Sequence, residues 1–123
     1  MDWKLELVPV PVSDVDRAKD FYTEKAGFIA EHDHRVSDEM RFVQVTPPGS
    51  ACSITFGTGI TEMAPGSVQG LQLVVSDIDA AREELLGRGV EVGEVQVLPW
   101  GLFLFFSDPD GNGWAVQQVP ARD

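Results

Sequence analysis

A chain of 123 residues with 43% apolar side chains is enough for one compact unit with its own core. Nine Lys and Arg against 20 Asp and Glu give a net charge of −11. That field repels the phosphates of nucleic acid and anionic lipid headgroups, which excludes both as partners, and it attracts cations. No apolar run reaches the roughly 20 residues that cross a bilayer, and Met1–Glu6 lacks the basic and apolar regions of a leader. The one cysteine, Cys52, cannot close an internal disulfide. These features together point to a cytoplasmic protein.

In chain order, the apolar run Leu5 to Val12 reads as a strand ending at Ser13. Ser13 is placed as a helix N-cap, with Asp14 and Asp16 favourable at the positive end of the helix dipole. The helix is predicted over Val15–Lys25, with Val15, Ala18, Phe21 and Tyr22 on one face and Gly27 as its C-terminal cap. Strands follow at Phe28–Val36, Arg41–Thr46 and Ala51–Phe56, separated by Ser37-Asp38-Glu39 and Pro47-Pro48-Gly49-Ser50. Cys52, on the last of these with no His or basic neighbour in sequence, reads as a structural thiol.

The pattern then repeats. Val12-Ser13-Asp14-Val15-Asp16-Arg17-Ala18 returns as Val75-Ser76-Asp77-Ile78-Asp79-Ala80-Ala81, five of seven positions being identical. The run Leu71 to Val75 leads to Ser76 as a cap and to a second helix, Ile78 to Gly87, with Ile78, Ala81, Leu85 and Leu86 inward. Strands are predicted at Val90–Val97, Leu102–Ser107 and Trp114–Val119. The order is thus βαβββ, linker, βαβββ. Each half has one helix over four strands, too little to form a core alone, so one domain is expected over 1–123. Its first module covers about 1–57, its linker about 58–68 and its second module about 69–120.

These motifs, with Phe21-Tyr22, Ala26-Gly27-Phe28 and the late phrase Phe106-Ser107-Asp108-Pro109-Asp110-Gly111-Asn112, resemble the vicinal-oxygen-chelate (glyoxalase/bleomycin-resistance/dioxygenase) superfamily over essentially the whole chain. The resemblance implies an α+β fold: two βαβββ modules forming cupped mixed sheets, an incomplete barrel, with helices outside on the convex sides. It also implies facing cups around a shared hollow, and a homodimer. Metal-dependent members place ligands at positions that correspond here to Leu7, Ser53 (or Thr55 with a register slip), Gly70 and Ala115. None carries a carboxylate or imidazole, so no metal and no cofactor are expected. Slipping the first position to Glu6 would aim it at the wrong face.

His32 and His34 lie two apart on a strand and share a face, flanked by Glu31 and Asp33. With Phe28 and Ala30 taken as in phase, that face borders the cavity. The pair reads first as exposed or hydrogen-bonded histidines, with metal clamping or acid–base work as the sharper alternatives. Alternation from Ala115 and Gly70 turns Gln117 and Gln72 inward, and Phe42 and Gln44 share a face. Trp100, in Pro99-Trp100-Gly101, is either a lip over the pocket or a loop anchor. The expected ligand cavity is therefore Leu7, His32, His34, Phe42, Gln44, Ser53, Gln72, Trp100, Ala115 and Gln117. The expected function is metal-free binding of a small aromatic or cationic molecule. The alternative is a lyase, isomerase or dioxygenase with an atypical metal site or a metal-free pair, His34 acting with Glu39 or Glu31.

Overall fold

Hydrogen bonding sorts each half of the chain into one four-stranded mixed sheet carrying one helix. The structure, a computed structural model, describes residues 1–120; the last three residues of the expected unit lie outside the described residues. The first half runs β1 (Leu7–Pro9), α1 (Val15–Asp20), β2 (Ile29–Ser37), β3 (Met40–Thr46) and β4 (Ser53–Thr58), in sheet order β1-β4-β3-β2. The second runs β5 (Leu71–Val74), α2 (Ile78–Gly87), β6 (Gln96–Leu98), β7 (Gly101–Ser107) and β8 (Gly113–Gln118), in order β5-β8-β7-β6. In both, the first strand pairs parallel to the last and the remaining pairs are antiparallel. The internal repeat in the sequence is a repeat of topology. The fold is α+β with two open mixed sheets and no closed barrel.

Local chemistry departs from the sequence reading at several places, and the strand expected over Leu5 to Val12 pairs only over Leu7–Pro9. The N-caps are Asp14 and Asp77, not the serines: each has an extended backbone, and its carboxylate accepts from the amide three residues on, Arg17 and Ala80. Ser13 is freed for another role, its amide and hydroxyl donating to Asp110. The first helix does continue to Lys25, but as a π-helical turn over Phe21–Lys25, where the Ala26 amide donates to the Phe21 carbonyl at 2.9 Å. Gly27, at φ +78°, then turns the chain so that the Phe28 amide reaches the Tyr22 carbonyl. Leu86, expected inward, is 44% exposed. Only Gln96–Leu98 of the expected strand Val90–Val97 pairs with a neighbour; Val90 enters the core and the Gly93 carbonyl is taken by Arg82 Nε at 2.8 Å.

Strand alternation gives each sheet a core face and an open face. The core faces present Val43, Val45, Ile54 and Phe56 from the first sheet and Leu104, Phe106, Trp114 and Val116 from the second. With Ala18, Phe21 and Tyr22 of the first helix and Ile78 and Leu85 of the second, they form one cluster. Both convex, helix-bearing faces are thus spent on a shared core, each fully buried large side chain contributing about 1.5–3 kcal/mol. The two open faces turn away from that core. Facing cups were expected around a shared hollow; what meets within the chain is the pair of core faces, in one cluster.

The seam between halves is polar and buried. Tyr22 Oη donates to Asp108 Oδ2 at 2.7 Å and accepts from Trp114 Nε1 at 3.0 Å. Asp108 also accepts from the amides of Asp110 and Asn112 and from Asn112 Nδ2, while Asn112 Nδ2 donates to the Pro11 carbonyl at 2.8 Å. Burial and the neighbouring Asp108 carboxylate push the Tyr22 hydroxyl far above its usual range. The Asp-Pro-Asp-Gly-Asn phrase is therefore the clasp that ties the second module to the first.

Candidate functional site

The open face of the first sheet has a floor of short side chains and a rim of longer ones. Ser53 pairs with Leu7 on β1, Thr55 with Gln44 on β3, and Gln44 and Phe42 with His32 and His34 on β2. All these side chains share one face. The floor hydroxyls are satisfied among themselves: Thr46 Oγ1 and Ser53 Oγ are 2.6 Å apart, and Thr55 Oγ1 donates to the Val43 carbonyl at 2.9 Å. The His32 and His34 rings stack with centroids 5.5 Å apart, both exposed.

The phase expected for that strand is broken by a bulge. Ala30 pairs with Val45, yet His32 pairs with Gln44, so Glu31 is the extra residue. Phe28 and Ala30 consequently align with the core face, where Phe28 is buried, and only the histidines turn to the open face. Asp33 goes the other way. Its carboxylate takes Arg41 Nε and Nη2 at 3.0 and 2.9 Å and Lys19 Nζ at 2.8 Å, and Arg41 Nη1 also reaches Asp16. The hydrogen bonds from Arg41 and then Lys19 hold the Asp33 carboxyl well below the usual carboxylate range, and Asp33 in turn raises the Arg41 guanidinium. Asp33 is thus committed to the helix side. Glu39 stands in the β2–β3 turn, and among the described residues no hydrogen bond joins His34 to Glu39 or Glu31.

The open face of the second sheet is more apolar. Across its strands run two rows: Gln72, Ala115 and Phe105; then Val74, Gln117 and Phe103. Phe103 and Phe105 lie with ring planes 10° apart and centroids at 6.2 Å, making one flat wall. Phe105 is 46% exposed and Val74 63%. Opposite that wall, Gln72 Nε2 donates to Gln117 Oε1 at 2.6 Å, and Gln117 Nε2 donates to the Trp100 carbonyl at 3.0 Å. Ala115 lies between Gln72 and Phe105, and the next row begins with Gly70 and Gly113. A Cβ at Gly70 would meet open space, whereas one at Gly113 would meet the Gln69 side chain, so this is a trough whose small-residue floor is Ala115 and Gly70. A hollow of about 700 Å³ shares Gly70, Phe105 and Ala115 with the trough but not Gln72, Gln117 or Phe103; it takes Phe21, Val90 and Trp114 from the core side and nothing from the first sheet's open face.

The structure therefore divides the expected cavity residues. Leu7, His32, His34, Phe42, Gln44 and Ser53 lie on one open face; Gln72, Ala115 and Gln117 lie on the other; and Trp100, 60% exposed, stands in the turn between β6 and β7 at the edge of the second. The Phe103–Phe105 wall and the glycine floor were not among them. Their signal was present in the alternation that placed Gln117 and Ala115, read one strand further. At the four positions suited to a metal, the side chains are Leu7, Ser53, Gly70 and Ala115, which offer no ligand for a divalent ion beyond a hydroxyl already bonded to Thr46. Among the described residues no three His, Cys, Asp or Glu side chains gather to form a metal-ligating group, and no helix is long and apolar enough to cross a membrane.

Comparison with known proteins places this geometry. Residues 4–116 match the family model for the Glyoxalase/Bleomycin resistance protein/Dioxygenase superfamily. The Bacillus subtilis (strain 168) protein YetH is 34% identical over 119 residues, 94% of this chain and 98% of that protein. Among solved structures, TnmS3, an antibiotic binding protein from Streptomyces sp. CB03234, superposes with a TM-score of 0.87 at 39% identity, covering 97% of this chain and 98% of its own. A glyoxalase/bleomycin resistance protein from the same Streptomyces superposes with a TM-score of 0.81 at 41% identity, covering 94% of this chain and all of its own.

Proposed function

This chain belongs to the Glyoxalase/Bleomycin resistance protein/Dioxygenase superfamily, and we propose that it binds a small planar aromatic molecule, neutral or cationic, without a metal, on the open face of its second sheet. The observation that carries the reading is the trough: the half-exposed ring of Phe105, backed by the buried Phe103, shares an open face with a pair of neutral amides, and Ala115 lies between. Aromatic faces supply area with little entropy loss, and amides orient a ligand without ionising it. TnmS3 being an antibiotic binding protein supports the same kind of role here. The net charge of −11 favours cationic ligands over anionic ones.

Each chain turns its two open faces apart, so a trough built by one chain has only one wall of sheet. A two-fold pair that lays the first sheet of one protomer over the second sheet of its partner closes both troughs at once, as symmetry requires. It would cover Val74, Trp100 and Phe105 and bring His32, His34, Phe42 and Gln44 of one protomer over Gln72 and Gln117 of the other. The active species is accordingly a homodimer.

Tryptophan fluorescence tests the binding. Titration with 9-aminoacridine, a flat cation, and with naphthalene is expected to give saturable quenching, of which the part from Trp100 at the trough's edge is lost in Trp100→Phe, Trp3→Phe serving as the control for the exposed indole outside the trough. Failure of every planar probe to quench would leave the proposal without support.

A further inference from the structure

We infer that Gln72 determines the specificity of the trough and selects a hydrogen-bond donor, an O–H or N–H on the edge of a flat ring. The inference rests on the binding function proposed above and adds the polarity of the ligand it takes.

A lone glutamine does not discriminate donors from acceptors, because its amide can turn over to present either end. Here the turn is blocked from below. The Trp100 carbonyl can only accept, so Gln117 must offer it Nε2, as it does at 3.0 Å. Gln117 Oε1 is thereby directed at Gln72 and can only accept in its turn, which fixes Gln72 Nε2 against it at 2.6 Å. Gln117 is 9% exposed, so water competes weakly for its bond to the Trp100 carbonyl. Gln72 Oε1 has no partner among the described residues, and it is the end of the relay left for a ligand.

The relay also sharpens that oxygen. An amide that donates a hydrogen bond becomes a better acceptor, and here two amides and a carbonyl are aligned head to tail, a cooperative gain of about 10–30% per bond. Gln72 shares its row with Ala115 and Phe105, two strand spacings of about 4.8 Å from the phenyl wall. A ring stacked on Phe105 therefore reaches Gln72 with a substituent on its edge. The chain's negative field disfavours an anionic acceptor at that edge as well.

2-Naphthol and 2-methoxynaphthalene share a ring system and differ by one O–H donor. In calorimetric titrations of the full chain, the naphthol is expected to bind about three- to tenfold more tightly, the span of one net hydrogen bond. Gln72→Met, which removes the acceptor at an exposed position, should bring the ratio to about one by weakening the naphthol. Gln117→Met, which frees the Gln72 amide to turn over, should also lower the ratio, an effect that a purely structural role for Gln117 would not produce. Equal affinities in the wild type, or a ratio that survives both substitutions, would overturn the inference and leave the binding function standing. Binding of neither compound would overturn both.

Discussion

Replacing Tyr22 with phenylalanine removes a single oxygen from the seam between the two halves and keeps the ring that packs on Phe28, Phe56 and Trp114. Asp108 Oδ2 loses its 2.7 Å bond but retains Asn112 Nδ2 at 2.8 Å, so the carboxylate stays partly satisfied. Trp114 Nε1 loses its partner inside a residue that is 4% exposed. An orphaned buried donor and a weakened bond to a carboxylate together cost about 2–4 kcal/mol. For a chain of this size that lowers Tm by roughly 10 °C. Urea unfolding followed by circular dichroism should show the midpoint falling with the slope unchanged. A pH series adds a second arm. Folding raises the Tyr22 pKa above its usual 10.0, so the hydroxyl's contribution is complete below pH 10.0 and declines as pH rises beyond it. Tyr22→Phe should remove that alkaline decline. A loss of less than about 0.5 kcal/mol, or an identical alkaline profile, would refute the clasp as an energetic feature.

Three further outcomes follow from the same geometry. Asp33→Asn breaks the pairing with Arg41 and Lys19 at a partly exposed site and should cost about 1 kcal/mol at neutral pH. Because folding depresses the Asp33 pKa below 3.8, the stability gap between wild type and variant should hold above that pH and close as pH falls further below it, as thermal melts would record. Gly66→Ala forces a Cβ to within 2.1 Å of the Asp110 carbonyl oxygen at φ +80° and should destabilise by about 2–4 kcal/mol in urea titrations, against a small effect at the open Gly93. Ala115→Leu fills the trough floor and should weaken naphthalene binding by about tenfold or more; because Ala115 is only 6% exposed, the added volume should also cost about 1–3 kcal/mol in thermal melts.

The topology was legible because the chain states it twice: the repeated Val-Ser-Asp phrase fixed strand, cap region and helix in each half, and alternation put Gln72, Ala115 and Gln117 on one face. What escaped depended on contacts between distant residues. Asp14 and Ser13 are both good caps by type, and only the pull of Asp110, 97 residues away, decides between them. The bulge at Glu31 carries no glycine to announce it, so strict alternation puts Phe28 and Ala30 in the wrong phase with the histidines. The phrase Asp-Pro-Asp-Gly-Asn exerts its chemistry on Tyr22, Pro11 and Ser13 of the other half, which its own residue types do not disclose. Nor could periodicity say which side of each sheet the other half would occupy, and that choice is what sends the two open faces apart.

The central claim is that a flat ligand is held by rings and amides with no metal between them. Calorimetric titration of chelator-stripped protein with 2-naphthol, repeated after adding back Ni, Zn, Mn or Fe, tests it directly. One site per chain is expected, with the same affinity in every sample. Binding that appears only once a metal is restored would contradict it.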